Sequence, residues 1–476
     1  MSMSKGKELA KNIGVLTLSQ LGTKILTFLL LPLYTSILTT SEYGIYDLFN
    51  TTIGLLVPFL TLNIKDSTMR FSLDKDNSKE EIFSVSIHAC LRAIIIAVCL
   101  IFFNDVFNIS IVIGQYKLFV ILLFVTNSIG DVINNFTRGL DRLNDIAIAG
   151  VIGSATIITL NIVFLVPLKM GLVGYFLANI LGSLFQSLYL SFRTKCWRYI
   201  KLVKFKNSKL KKDMYGYAIP LIANSTCWWI NSVSDRYIVT WICGVAINGI
   251  YSVAGKIPTI IDVFQNIFSQ AWTLSVVKHF DKDDKGGFIT NTFNVYSCLI
   301  TIVCSVLIVF SKIMSSFLYS KDFFLAWKYV PFLLIASTLG AMSGYMGGIF
   351  AAVKDSKTFA YSTMAGAATN IILNLILVFP FGALGAAFAT SISYLVIFWA
   401  RVYFALRTVE IKVNVKQLVL TQCLLFAQSF IFLCIKKNLG LLYLGEAACL
   451  LLIILLFKDA IKDNAKLLLA IILKRK

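Results

Sequence analysis

Charge is scarce in this chain. Asp, Glu, Lys and Arg make up 14% of its 476 residues, against 58% hydrophobic residues and a mean hydropathy of +0.79. Soluble domains are nearer one quarter charged. So much apolar surface has no place in a water-soluble core, which leaves a polytopic membrane protein. Histidine is almost missing: His88 and His279 stand alone, against any His-rich metal site. The ten cysteines contain no C-x-x-C pair, and seven (Cys90, Cys99, Cys298, Cys304, Cys423, Cys434, Cys449) sit in apolar runs, where a thiol is a small hydrophobe. No G-x-x-x-x-G-K-[ST], G-x-G-x-x-G, H-E-x-x-H or G-x-S-x-G occurs, so the sequence offers no loop for nucleotide hydrolysis and no catalytic constellation; it is expected not to be an enzyme. Long soluble segments are lacking too. The net charge of +20 is therefore read as basic loops facing an anionic leaflet, not as a nucleic-acid groove. "MSMSKGKELAKN" leads into an apolar run without a clear small-residue cleavage site, and that run is expected to be a retained helix.

What is present is a series of about fourteen apolar spans. Their expected limits are 13–37, 43–64, 84–103, 116–137, 144–167, 171–192, 213–233, 243–272, 288–310, 324–351, 358–379, 382–404, 416–435 and 439–457. Each can cross about 30 Å of hydrocarbon, and only helices satisfy their own backbone there. With both termini placed in the cytoplasm, thirty-two Lys and Arg fall in cytoplasmic segments and eight in outer ones. That bias is the positive-inside pattern. Lys24, Arg92, Lys256 and Arg401 lie within spans. The one long basic connection, "RTKCWRYIKLVKFKNSKLKKD" (193–213), interleaves Trp197, Ile200, Val203 and Phe205 with cations and suits a helix on the inner leaflet.

The chain also repeats. "EYGIYDL" (42–48) returns as "INGIYSV" (247–253), and "LNIVFLVP" (160–167) returns as "LNLILVFP" (373–380). Gly171 and Gly174 match Gly382 and Gly385. The matched segments keep their order and an even number of spans between copies, so the repeat is parallel, with an axis along the membrane normal. The expected fold class is all-α, two six-helix lobes plus a C-terminal helix pair. Residues 1–192 form the first lobe, 193–213 the basic linker, 214–406 the second lobe, and 407–476 the extra pair with a basic tail. Two such lobes around a cavity are an alternating-access plan. The Gly-Ile-Tyr glycine is expected to start the second helix of each lobe, and the tyrosine to anchor it at the interface.

"LLLPLYTSILTTSEYGIYDLF" (29–49) resembles the first hairpin of bacterial polysaccharide flippases of the Wzx type, in the multidrug/oligosaccharidyl-lipid/polysaccharide (MOP) exporter superfamily. "SDRYIVTWICGVAINGIYSVAGKI" (234–257) resembles the start of their second lobe, and the Asn-Pro-Gly-Gly stretches resemble the lobe ends. The resemblance covers nearly the whole chain. It implies fourteen helices in a bacterial cytoplasmic membrane and a substrate built on undecaprenyl pyrophosphate, an oligosaccharide repeat unit carried from the inner to the outer leaflet. Membrane lipids and polysaccharide polymerase and chain-length proteins are the implied partners. No cofactor is expected beyond an H⁺ or Na⁺ gradient.

Charges within spans are costly and usually face water or a partner. Lys24, Arg70, Arg236 and Lys256 are candidates for a cationic cavity that would attract a pyrophosphate. Snorkelling to an interface, or an ion pair locking two helices, is the competing reading. Asp47, Asp235 and Asp262 are candidates for a coupling ion or an ion pair. "CWWIN" (227–231), Tyr34, Tyr43, Tyr46 and Tyr237 read as an interfacial belt, and "GAMSG" (340–344) as close helix packing. Two rivals within the superfamily stay open: an organic-cation exporter, which should favour acidic cavity residues, and a lipid II flippase. A membrane polymerase or glycosyltransferase would need a large loop with catalytic carboxylates.

Overall fold

The computed structural model describes residues 28–74, 76–107, 111–200, 209–278, 280–353, 355–435 and 438–458, and among these the structure is helical without a strand. The chain divides into two compact units between Trp229 and Ile230. The first holds α1 (Leu31–Ile37), α2 (Thr40–Leu60), α3 (Ile64–Leu73), α4 (Lys79–Phe107), α5 (Ile111–Gln115), α6 (Lys117–Gly139), α7 (Leu143–Leu165), α8 (Gly171–Thr194) and the first part of α9 (Lys209–Cys243). The second holds the rest of α9, then α10 (Val245–Ala254), α11 (Thr259–Lys278), α12 (Phe288–Leu318), α13 (Val330–Ala352), α14 (Ser356–Phe381), α15 (Ala383–Thr408), α16 (Val415–Cys434) and α17 (Leu439–Leu456). The division falls inside α9, after the basic connection at 193–213.

Every expected span meets a helix, although most of the first lies outside the described residues. Among the described residues, ten helices are long and apolar enough to cross a membrane, and α2 with α3 makes an eleventh if that bent pair is one span. The chain is a multi-pass membrane protein. Two spans run differently from their expected course. The second does not end at residue 64: the chain turns through 59° and continues as α3. Leu62 (φ 55) and Asn63 (φ 50) hold the left-handed backbone of that turn. The eighth is broken at residues 255–258, where Pro258 cannot donate to a helical ladder.

The repeat survives in backbone detail. Gly171 (φ +54) and Gly382 (φ +58) both take a positive φ at the start of the second helix of a hairpin, α7–α8 in one unit and α14–α15 in the other. Asn161 and Asn374 are both fully buried, and each side-chain amide donates to the carbonyl four residues earlier, Ile157 or Asn370, at 2.8 Å. Gly44 does not begin α2. That helix starts at a capping box in which Thr39 and Glu42 satisfy each other's backbone N–H. Nor is the tyrosine a lipid-interface anchor. Tyr46 packs against Tyr175 with ring centroids 4.4 Å apart, and Tyr175 also meets Tyr34 at 4.7 Å and Tyr43 at 6.2 Å. Trp229 likewise turns inward, its Nε1 donating to the Thr51 carbonyl at 2.9 Å. In "GAMSG", Gly340 and Gly344 let Tyr394 and Gln265 approach α13.

Gly385 is where α14 and α15 come nearest. A Cβ there would meet the Leu377 carbonyl oxygen at 2.1 Å, and backbone cannot swing aside. Gly385→Ala should cost about 3 kcal/mol, the upper range for overpacking. Gly54→Ala, with nothing within 4 Å, should be neutral or stabilising. Thermal unfolding of the two detergent-solubilised variants checks this, and equal melting temperatures would count against the packing described.

Candidate functional site

The first unit's polar face is made by the bend between α2 and α3. The Asn63 side-chain amide donates to Asp66 Oδ2 at 2.7 Å, tying the turn to the first turn of α3. This places Lys65 where its Nζ meets Asp131 Oδ2 at 2.8 Å, with the two side chains 32% and 40% exposed. Asp131 lies eight residues before the end of α6, about 12 Å along the axis. It shares a helix face with Asn127 and Asn135, four residues to either side and likewise half-buried. A half-exposed stripe of amides and a paired carboxylate is too polar to meet hydrocarbon, so this face of α6 suits the bundle interior or a wet cavity. From sequence, Lys65 reads as a loop residue and Asp131 is not singled out. The signal for Asp131 is polar residues at i, i+4 and i+8 on one face of the span.

The expected site residues of this unit scatter. Lys24 lies outside the described residues. Arg70, expected just past the second span, sits on the last turn of α3, Nη1 2.9 Å from Asp74 Oδ1, both half-exposed. Asp47 is buried on α2.

In the second unit, Asp235 of α9 is the hub. Its Oδ1 accepts from the Arg236 backbone N at 2.9 Å; its Oδ2 accepts from the Tyr251 hydroxyl at 2.5 Å and the Thr390 hydroxyl at 3.2 Å. Thr390 Oγ1 in turn accepts from Asn370 Nδ2 at 3.3 Å, and Asn370 Oδ1 accepts from Ser234 Oγ at 3.2 Å and Asn374 Nδ2 at 3.0 Å. Four helices, α9, α10, α14 and α15, thus meet around one buried carboxylate. Tyr251 is the tyrosine of the second Gly-Ile-Tyr, so the repeat brings it to the acid. Carboxylate, hydroxyl and amide oxygens are the donor set for a proton or a hard cation. Among the described residues, no three His, Cys, Asp or Glu side chains converge as a metal cluster.

Arg236 and Lys256 are half-buried, Lys256 in the break between α10 and α11, and Asp262 is half-buried on the first turn of α11. Arg401, counted within a span but not singled out from sequence, is buried on α15. Its Nε donates to Ser362 Oγ at 3.1 Å, Nη1 to the Ser343 carbonyl at 2.9 Å and Nη2 to Thr363 Oγ1 at 2.9 Å, with the guanidinium 4.1 Å from the Phe359 ring centre. Thr363 also accepts from Asn231 Nδ2 through its carbonyl, at 3.2 Å. Arg401 therefore cross-links α13, α14 and α15 by neutral oxygens. Arg401→Leu should cost about 3 kcal/mol, the scale of a hydrogen bond to a charged group. Arg401→Lys, which cannot span three acceptors, should recover only part of this. Thermal melts of both variants decide it; wild-type stability of the Leu variant would refute the cross-link.

With this geometry in hand, the comparisons are informative. The family described as "Polysaccharide biosynthesis protein" matches residues 9–274, over half of the chain. The uncharacterized membrane protein MJ1375 of Methanocaldococcus jannaschii is 28% identical over 271 residues, 52% of this chain and 61% of that protein. The match thus spans about three fifths of that relative's length. Among solved structures, the lipid II flippase MurJ in an inward closed conformation superposes with a TM-score of 0.67 at 15% identity, covering 94% of this chain and 99% of MurJ. An inward-facing multidrug resistance MATE transporter of the MOP superfamily gives 0.64 at 15% identity, covering 80% and 95%. The fold is that of the MOP superfamily, and by its sequence the chain belongs to the polysaccharide biosynthesis protein family.

Proposed function

We propose that the protein is a flippase that carries a polyprenyl-pyrophosphate-linked oligosaccharide repeat unit from the cytoplasmic to the outer leaflet by alternating access of its two lobes. The observation that carries this reading is the family match, which ties a MOP fold to polysaccharide biosynthesis. Lys24, Lys256 and Arg236 are the cations proposed to attract the pyrophosphate. Lys65, held by Asp131 on the polar face of α6, joins them. Arg70, paired at the end of α3, is an entry residue in this reading. Asp235 is the proposed coupling site for an H⁺ or Na⁺ gradient, with Asp47 and Asp262 as secondary acids. Both termini lie in the cytoplasm of a bacterial inner membrane, and polymerase and chain-length proteins act on the product. One rival has specific support: the MurJ likeness makes lipid II the alternative cargo.

In a cell that depends on this protein for its surface polymer, Lys24→Ala with Lys256→Ala should abolish the polymer while the variant stays in the membrane. Normal export from the double variant would refute the cationic cavity. In proteoliposomes, fluorescent lipid-linked repeat unit should become accessible in the opposite leaflet. Movement of lipid II in its place would select the rival. Asp235→Asn should remove dependence on the ion gradient while leaving slow downhill movement, and an unchanged gradient dependence would exclude Asp235 as the coupling site.

A further inference from the structure

The C-terminal helix pair carries an acid that the proposed transport path does not use. Glu446, on α17, is fully buried in one of the most apolar helices of the chain. Neither carboxyl oxygen has a hydrogen-bond partner among the described residues. Gln428 of α16 lies beside it: its Oε1 accepts from Ser305 Oγ at 2.9 Å and its Nε2 donates one hydrogen to the Ser305 carbonyl at 3.2 Å, which leaves the second amide hydrogen as the one neutral donor facing Glu446. α17 packs on both α12 and α16. The titratable groups on these elements are the thiols Cys298, Cys304 and Cys449, the outward Cys423 and Cys434, the phenols Tyr296 and Tyr443, and Lys416 in the exposed first turn of α16. Lys312 of α12 lies over the Trp327 ring at 5.2 Å. None of these makes an ion pair with Glu446 among the described residues.

An ionised carboxylate in such a place has neither water nor counter-charge, whereas the neutral acid is tolerable there. A row of polar side chains leads toward it. Asn294, Ser297, Thr301 and Ser305 follow one face of α12 at spacings of three, four and four residues, from its N-terminal part inward to the partner of Gln428. The Thr301 hydroxyl is buried without a hydrogen-bond partner among the described residues. We propose that Glu446 is a proton-binding site, filled along this α12 seam from the N-terminal end of α12 and separate from the Asp235 hub. In that step a carboxylate oxygen forms an O–H bond with a proton brought by hydronium, which leaves as water; nothing is oxidised or reduced.

The test is infrared difference spectroscopy of the full chain in liposomes after a pH jump, without any lipid-linked substrate. The wild type should exchange a carboxylic-acid carbonyl band for carboxylate bands as pH rises, and Glu446→Gln, a neutral shape mimic, should lack that band. Glu446→Asp should shift the band, which keeps the test open should the Gln variant misfold. Thr301→Val should slow the response several-fold with the same end states. An acid band that never titrates while the protein stays folded, or one unchanged in the Gln variant, would overturn the proposal, and an unslowed Thr301→Val would remove the seam. Because no cargo is present, these failures leave the flippase reading untouched.

Discussion

A backbone amide in hydrocarbon has no water to turn to, and each such group left unpaired costs several kcal/mol. That constraint makes the described chain helical throughout. It also makes each departure from a helix informative, because the freed groups must find another partner. The bend after α2 is the clearest instance. Two residues in the left-handed region stop the ladder, turn bonds from the Leu62, Asn63 and Ile64 N–H groups to the Phe59, Pro58 and Thr61 carbonyls take it over, and the same turn aims Lys65 at Asp131. A backbone break thereby becomes the source of a charged pair inside a span.

The same economy governs the charges. Arg401 is buried by giving its guanidinium three oxygen acceptors and an aromatic face. Asp235 is buried by three donors, and its neighbours Thr390 and Asn370 pass the hydrogen bonds on to Ser234 and Asn374. Buried networks of this kind are stable only when nearly every member is satisfied, and they then specify one packing. Glu446 departs from this pattern, since the neutral amide of Gln428, shared with Ser305, is its neighbour and no cation pairs with it among the described residues.

The two units use one plan with different polar contents. Gly171 and Gly382 turn alike, and Asn161 and Asn374 bond alike. Where the first unit has Ile157, however, the second has Asn370, which links Asn374 to Thr390 and so to Asp235. Where the first has Asp47, two turns into α2, the second has Ser252 and takes its acid from the preceding helix. Duplication preserved the backbone frame while the polar interiors diverged.

The sequence by itself determined the spans, their helical nature and the parallel repeat, because hydropathy and backbone satisfaction are local properties of each segment. It marked Lys256 as a charge within a span and Asp235 as the acid beside Arg236 just past one. Only the tertiary structure decided who meets whom. Residue 65 reads as a loop until the bend turns it toward residue 131. Arg70 reads as a cavity cation just past the second span, yet on α3 it makes a half-exposed pair with Asp74. The Gly-Ile-Tyr tyrosines read as lipid-facing anchors, yet Tyr46 lies in a ring cluster and Tyr251 donates to Asp235. The physical reason is range. A partner sixteen or sixty-six residues away in the chain is set by how helices pack, and no local pattern encodes it.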